Sequence, residues 1–406
     1  MLTVEQATGI ILTTVPSANT ERIPLSTAYG RVLREEIRAD RDFPPYHRVS
    51  MDGIAIQYEE FVKGRREFDV IGQSAAGSGK QGLPHPTVCI EVATGGVLPD
   101  MADTVVPYEH LRIVGERAII ETDQVVFQQN IHQQGADRRQ GDGLLFPGKW
   151  LGAAELAVLA TVGQAEVLVS ELPDVAIIST GDELVKVNAV PLPWQIRQSH
   201  PSALSALLGG WARHITLHHS RDIPEELATL VRQALSDSQV VLLTGGVSAG
   251  KKDYVPAILD SLGVEIGFHK VSQRPGNPLL FGRAPGGTAV FALPGNPVSA
   301  FMCTCRYVLP WLRPHIGIPP IPNEWAVLAE PLEFKPDLTW FVPVALENDR
   351  GTLRAFPKPG HGSGDLANLH EADGFLELLK GRHRFEKGEV FPLLRYTNFM
   401  GGHRLA

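Results

Sequence analysis

Apolar and polar positions follow three different rhythms along this chain. Between residues 172 and 317, continuous apolar runs (Val175 to Ile178, Val240 to Leu243, Ala289 to Leu293) each end in a glycine-bearing loop. Between them, Leu227, Leu230, Val231, Ala234 and Leu235 sit at the i, i+3, i+4, i+7, i+8 spacing of an amphipathic helix. Apolar strands alternating with helices predict a parallel sheet covered on both faces. From 41 to 139, β-rich runs (Thr87 to Val92, Arg112 to Glu121) alternate with Gly and Pro turns and predict a small β domain. Helical patterns flank it. Thr3 and Gln6 form a capping box ahead of Ile10 and Ile11, a second short helix is expected around Val32, Leu33 and Ile37, and Ala153 to Gly163 reads as helix. If the flanking helices are neighbours in space, the β domain is an insertion. Beyond a Pro-rich connector at 318–323, the runs Trp325 to Leu328, Phe341 to Leu346 and Phe375 to Leu379 predict a small barrel or sandwich.

Composition narrows the function. The 406 residues allow two to four domains, and 43% hydrophobic residues exclude a disordered chain. A net charge of −8 argues against nucleic-acid binding by broad phosphate neutralisation, so an anionic ligand must be held by a local pocket of donors. Three cysteines cannot build a disulfide framework and suit a reducing compartment. No apolar stretch is long enough for a membrane helix, and the first residues lack a signal-peptide pattern, so a cytoplasmic location is expected.

Ligands of parallel sheets bind beyond the carboxyl ends of the strands, which selects three loops. The first is Ser179-Thr180-Gly181-Asp182-Glu183-Leu184. Its two carboxylates suit Mg²⁺ beside a phosphate, or equally the acidic first turn of a helix. The second, Thr244-Gly245-Gly246-Val247-Ser248-Ala249-Gly250-Lys251-Lys252-Asp253-Tyr254, imitates a P-loop, but Lys252 stands where Ser or Thr should ligate Mg²⁺. Its glycines still offer bare backbone amides to an anion, and Asp253 adds a third carboxylate. The third is Pro294-Gly295-Asn296-Pro297-Val298-Ser299, where Asn296 and Pro297 start a helix and Ser299 faces an oxyanion or the core. Ahead of it, Lys270 and Arg274 supply cations. His214, His218 and His219 fall in a strand pattern rather than on a zinc helix, and Cys303 and Cys305 read as core.

With Ser50-Met51-Asp52-Gly53 and Ala93-Thr94-Gly95-Gly96, these loops make the chain resemble the molybdopterin molybdenumtransferase family (MoeA and the gephyrin E domain). The resemblance implies an α/β multidomain protein. Its parts are a discontinuous helical linking domain (1–40 and 140–171), an inserted β-rich domain (41–139), a three-layer αβα domain with a mostly parallel sheet (172–317) and a C-terminal β barrel (318–406). It further implies a cytoplasmic homodimer with its site at the subunit interface. The implied reaction inserts molybdenum from molybdate into adenylylated molybdopterin, with Mg²⁺-dependent release of AMP. A molybdopterin adenylyltransferase and molybdoenzyme chaperones are expected as partners, and nucleic acid and membrane are not. Asp52, Thr94, Asp137, Asp182, Glu183, Asp222 and Asp253 correspond to catalytic positions, with Glu183, Asp222 and Asp253 on the metal. Gly245, Gly246, Ser248, Lys270, Arg274, Pro294, Gly295, Asn296, Pro297 and Ser299 correspond to positions that bind the pterin adenylate or the oxyanion.

The chain departs from the family pattern at His132, at Gln198 and His200, at Asn277 and at Trp340, where members carry arginine, an Asp-Ser/Thr-Asn segment, lysine and arginine respectively. These changes leave a second expectation open, a pterin-binding or scaffold homologue with impaired turnover.

Overall fold

The computed structural model describes residues 1–247, 254–319 and 322–397. The chain forms two compact units, one of Met1–Arg22, Gly30–Val32 and Leu168–Ala406, the other of Ile23–Tyr29 and Leu33–Val167.

In the first unit, the expected strands form one six-stranded sheet. Its order is Ile215–Ser220, Val175–Thr180, Val240–Thr244, Ala289–Leu293, Leu280–Arg283 and Glu265–His269. The first four strands are parallel, with Val175 opposite both Ile215 and Val240, and Val240 opposite Ala289. The last two join antiparallel. Side-chain alternation splits the central strands between two cores. Val175, Ile177, Leu242 and Phe291 pack beside Val4, Ala7 and Ile11 of the helix Val4–Thr13 and beside Leu204, Tyr307 and Trp311. Ala176, Ile178, Leu243 and Val290 face the other way, toward Leu227 and Val231 of the helix Pro224–Asp237 and Ile258 and Leu259 of the helix Val255–Ser261. Burial on both faces explains why these strands carry no polar alternation. The capping box at Thr3 and Gln6 is present, with both hydrogen bonds formed. Cys303 and Cys305 are buried, and burial pushes the Cys305 thiol up to about 12.

The C-terminal strands Glu324–Leu328, Thr339–Asp349, Thr352–Pro357, Gly374–Leu378 and Val390–Arg395 close into a five-stranded barrel, because Thr339–Asp349 pairs with both Thr352–Pro357 and Gly374–Leu378. Ala326, Leu328, Val342, Val344 and Leu376 belong to its core.

The second unit carries its own six-stranded sheet, ordered Thr104–Pro107, Gly53–Ile56, Val88–Val92, Glu67–Ser74, Arg117–Ile120 and Leu111–Val114. One face buries Ile54, Phe68 and Cys89, the other Ala55, Ile90 and Val105. The helix expected around Val32, Leu33 and Ile37 does not form. Ile37–Arg38 is instead a strand paired with Gly143–Leu145, a partner more than a hundred residues away. Ala153–Thr161 is helical as expected. Among the described residues, no helix is long and apolar enough to cross a membrane.

Candidate functional site

Three strand ends of the parallel sheet converge on one cleft of about 330 Å³. Its walls include Thr180, Gly181 and Glu183 after the first strand, Gly245, Gly246 and Val247 after the second, and Pro294, Gly295 and Pro297 after the third. Asp222, which follows the edge strand Ile215–Ser220, joins them. The loops meet backbone to backbone. A Cβ on Gly245 would stand 2.8 Å from Thr180 Oγ1 and 2.9 Å from its carbonyl oxygen, and one on Gly295 would stand 3.6 Å from Gly245 Cα. Gly245 has φ +92°, a conformation that side chains other than glycine's disfavour, so this crossing point requires glycine.

The groups offered to the cleft are few. Glu183 is exposed, and its carboxylate folds back over Gly181. The chain after Glu183 continues into the strand Leu184–Val185, so Glu183 caps no helix. Asp182 Oδ1 accepts a hydrogen bond from the Asp222 N–H at 3.2 Å, tying the first loop to Asp222. His219 meets the Gly181 carbonyl at 3.0 Å from within the strand Ile215–Ser220, which accounts for one of the three histidines without a metal. Gly245 N–H donates to the Leu293 carbonyl at 3.2 Å. Among the described residues, the N–H groups of Gly246 and Gly295 have no partner. Two bare amides and two carboxylates therefore share one rim.

That pairing bears on a metal. Two carboxylates repel a free anion, whereas Mg²⁺ characteristically takes one or two carboxylates and fills its other positions with water and phosphate oxygens. Glu183 and Asp222 fit that donor set. Among the described residues no cluster of three or more His, Cys, Asp or Glu forms a protein-only cage.

Other sequence-derived candidates lie elsewhere. Ser248 and Asp253 fall outside the described residues. Ser299 is 3% exposed within the helix Pro297–Cys303 and does not line the cleft. Asn296 occupies the N-cap position of that helix, but its Nδ2 donates to Ser363 Oγ at 2.8 Å instead of its oxygen capping the turn. Arg274 is exposed, with its guanidinium 5.9 Å from the Phe334 ring, and Lys270 adopts φ +79° on the same turn. Neither lines the cleft.

In the second unit, Asp52 Oδ1 accepts from Thr94 N–H at 2.6 Å and from Thr94 Oγ1 at 2.8 Å, and these bonds hold its carboxyl below the usual range. Asp137 contacts His132 Nε2 at 2.9 Å. Arg48 reaches the other ring nitrogen of His132 at 3.4 Å. Since a guanidinium only donates, Nδ1 is the acceptor there and Nε2–H donates to Asp137.

Several lining residues carry no motif of their own. Arg197 is the one cation among the described residues around the cleft, on a short strand whose Ile196 also lines it. His200 is 92% buried beside the rim, and burial pushes its imidazole below its ordinary pKa. The only sequence signals for them were the Gln198-Ser199-His200 departure and an isolated arginine in an aperiodic stretch.

Comparison with known proteins agrees with this architecture. Family models described as "MoeA N-terminal region (domain I and II)", "Probable molybdopterin binding domain" and "MoeA C-terminal region (domain IV)" match residues 2–163, 176–314 and 325–396. A molybdopterin molybdenumtransferase of Synechocystis sp. is 36% identical over 396 residues, covering 97% of this chain and 99% of its own. One of Bacillus subtilis is 31% identical over 390 residues, covering 92% and 89%. Two crystal structures of molybdopterin biosynthesis MoeA protein from Pyrococcus horikoshii superpose with TM-scores of 0.83 and 0.81 at 28% and 26% identity. They cover 97% and 98% of this chain, and 99% and 100% of their own. With its αβα sheet, closed barrel and inserted β unit matched over nearly the whole length, the chain belongs to the molybdopterin molybdenumtransferase family of molybdenum cofactor biosynthesis.

Proposed function

We propose that this chain inserts molybdenum from molybdate into adenylylated molybdopterin and releases AMP in an Mg²⁺-dependent reaction. The observation that carries this reading is the convergence of Glu183, Asp222 and the amides of Gly246 and Gly295 on one cleft, in a member of this family. Glu183 and Asp222 would hold Mg²⁺, which when bound neutralises charge on the phosphate oxygens. The bare amides orient an anion by hydrogen bonds that need no net positive charge. Arg197 supplies one cation at the rim, and Lys270 and Arg274, which do not line the cleft, would meet the oxyanion from the turn that ends at the lining residue Pro278. The active species in this reading is a homodimer, with Asp52, Thr94 and Asp137 of one subunit completing the cleft of the other. It works in the cytoplasm and receives its substrate from a molybdopterin adenylyltransferase.

The decisive assay supplies purified protein with adenylylated molybdopterin, molybdate and Mg²⁺. Stoichiometric AMP and active cofactor are expected, and both should vanish with EDTA. Pterin binding without AMP release favours the second reading, an impaired homologue. One observation supports that second reading. Asn277, standing where relatives of the resemblance carry lysine, donates its amide to the Val271 carbonyl at 2.8 Å and offers no cation.

A further inference from the structure

Beneath the turn from Lys270 to Pro278 lies a buried polar chain that the cleft chemistry leaves unused. Gln273 and Arg274 form a two-residue strand, so their side chains point to opposite sides. Arg274 goes to solvent, and Gln273 is fully buried. The Gln273 Oε1 accepts a hydrogen bond from the Tyr307 hydroxyl, while its Nε2 donates to the Gly276 carbonyl at 3.1 Å and lies 3.6 Å from Cys303 Sγ. Tyr307 is 1% exposed and sits in a π turn, Thr304–Val308, that interrupts the helical run from Pro297 to His315. Such insertions recur at functional sites. Burial pushes the Tyr307 phenol well up, so it stays protonated and remains a donor.

The turn presses directly on this chain. Gly276 has φ +86°, and a Cβ there would stand 2.5 Å from Cys303 Sγ and 2.9 Å from Gln273 Nε2. A Val271 N–H to Asn277 carbonyl bond of 2.9 Å ties the turn across its neck, and Pro278 at its end lines the cleft. A buried amide is costly unless fully bonded, and an apolar side chain of equal size would fill this space without that demand. The amide's distinctive contribution is direction: it fixes the Gly276 carbonyl and, through the next residue, the exit of Arg274.

We infer that Gln273, held by Tyr307, is a positioning residue that sets the turn carrying Arg274 and Pro278 and thereby governs affinity for the tetrahedral oxyanion rather than for the pterin adenylate. The inference rests on the proposed reaction. Its test uses full-length Gln273→Met and Tyr307→Phe, with melting curves, equilibrium dialysis of molybdate, and AMP release as a function of molybdate and of adenylylated molybdopterin separately. Gln273→Met should raise half-saturating molybdate about tenfold, as misplacement by a fraction of an ångström does, with the pterin half-saturation and kcat within about threefold of wild type. Tyr307→Phe should shift molybdate in the same direction by less. A folded variant pair with wild-type molybdate dependence overturns the inference, as does an equal rise in both half-saturations or a loss that merely follows melting temperature. If Gln273→Met does not fold, Tyr307→Phe decides by the same criterion. Wild-type protein that binds molybdate in dialysis but releases no AMP refutes the proposed reaction instead, and the dialysis shift alone then judges Gln273.

Discussion

Gly245→Ala isolates the geometry on which the cleft depends. Gly245 holds φ +92°, and a left-handed backbone costs an ordinary residue about 1–2 kcal/mol. The added methyl would also stand 2.9 Å from the Thr180 carbonyl oxygen and 2.8 Å from its hydroxyl. Thr180 ends a buried strand paired on both sides, so that oxygen cannot retreat without moving the sheet. Overpacking of this kind costs a further ~1–3 kcal/mol. A middle value of about 3 kcal/mol lowers the melting midpoint by roughly 6–12 °C in a domain of this size. Calorimetry reads this directly, with Gly9→Ala as the control. Gly9 lies inside the helix Val4–Thr13 with nothing within 4 Å of its built Cβ, so the same substitution there should stabilise by about 0.5–1 kcal/mol. If Gly245→Ala melts within about 2 °C of wild type, the steric reasoning fails.

Other substitutions separate chemistry from stability. Glu183→Gln should remove Mg²⁺-dependent AMP release while changing stability by no more than about 0.5 kcal/mol, since the exposed carboxylate has no hydrogen-bond partner among the described residues; a large fall in melting temperature with retained turnover would reverse its assignment. Mixing inactive Glu183→Gln with inactive Asp52→Asn and allowing subunits to exchange should restore partial activity if each site draws on two subunits, and no recovery removes the shared site. Asp52 also predicts a pH effect. Its folded pKa lies below the ordinary value of an aspartate, so its stabilising contribution is complete above that ordinary value and is lost as pH falls through the lower folded one. The melting difference between wild type and Asp52→Asn should therefore shrink below about pH 4 in acid titrations followed by calorimetry, and a difference that grows there contradicts the sign.

The sheet was legible because its central strands are buried on both faces, which forces runs such as Val240 to Leu243 to be continuously apolar. The three loops followed from that topology, and two charged groups the sequence marked, Glu183 and Asp222, do share the cleft. What escaped was set by distant partners. Val32, Leu33 and Ile37 suit a short helix locally, yet the strand Ile37–Arg38 is selected by its pairing with Gly143–Leu145. Asn296 has the residue type of an N-cap, but Ser363, 67 residues on, takes its amide. Ser299 follows the helical turn inward to the core. Arg197 and His200 reach the cleft from a stretch without periodicity, where no local rule assigns a face.

In the proposed reaction, the turn at 270–278 would meet the oxyanion even though the chain departs from the family resemblance at several cationic positions. Asn277 is committed to the turn's own backbone, and Trp340, where the resemblance leads one to expect an arginine, stacks on Phe334 at 4.6 Å. Arg274 lies directly beside Trp340 in the parallel pairing of Gln273–Arg274 with Thr339–Asp349, and its guanidinium lies over the Phe334 ring. Phe334, stacked on Trp340, therefore offers its ring face to a cation arriving from the neighbouring strand. An arginine held over an aromatic face keeps its charge and loses freedom, which raises its effect at a fixed point relative to a lysine on a free stem. The buried Gln273 contact, one residue away, acts on that same arginine from below.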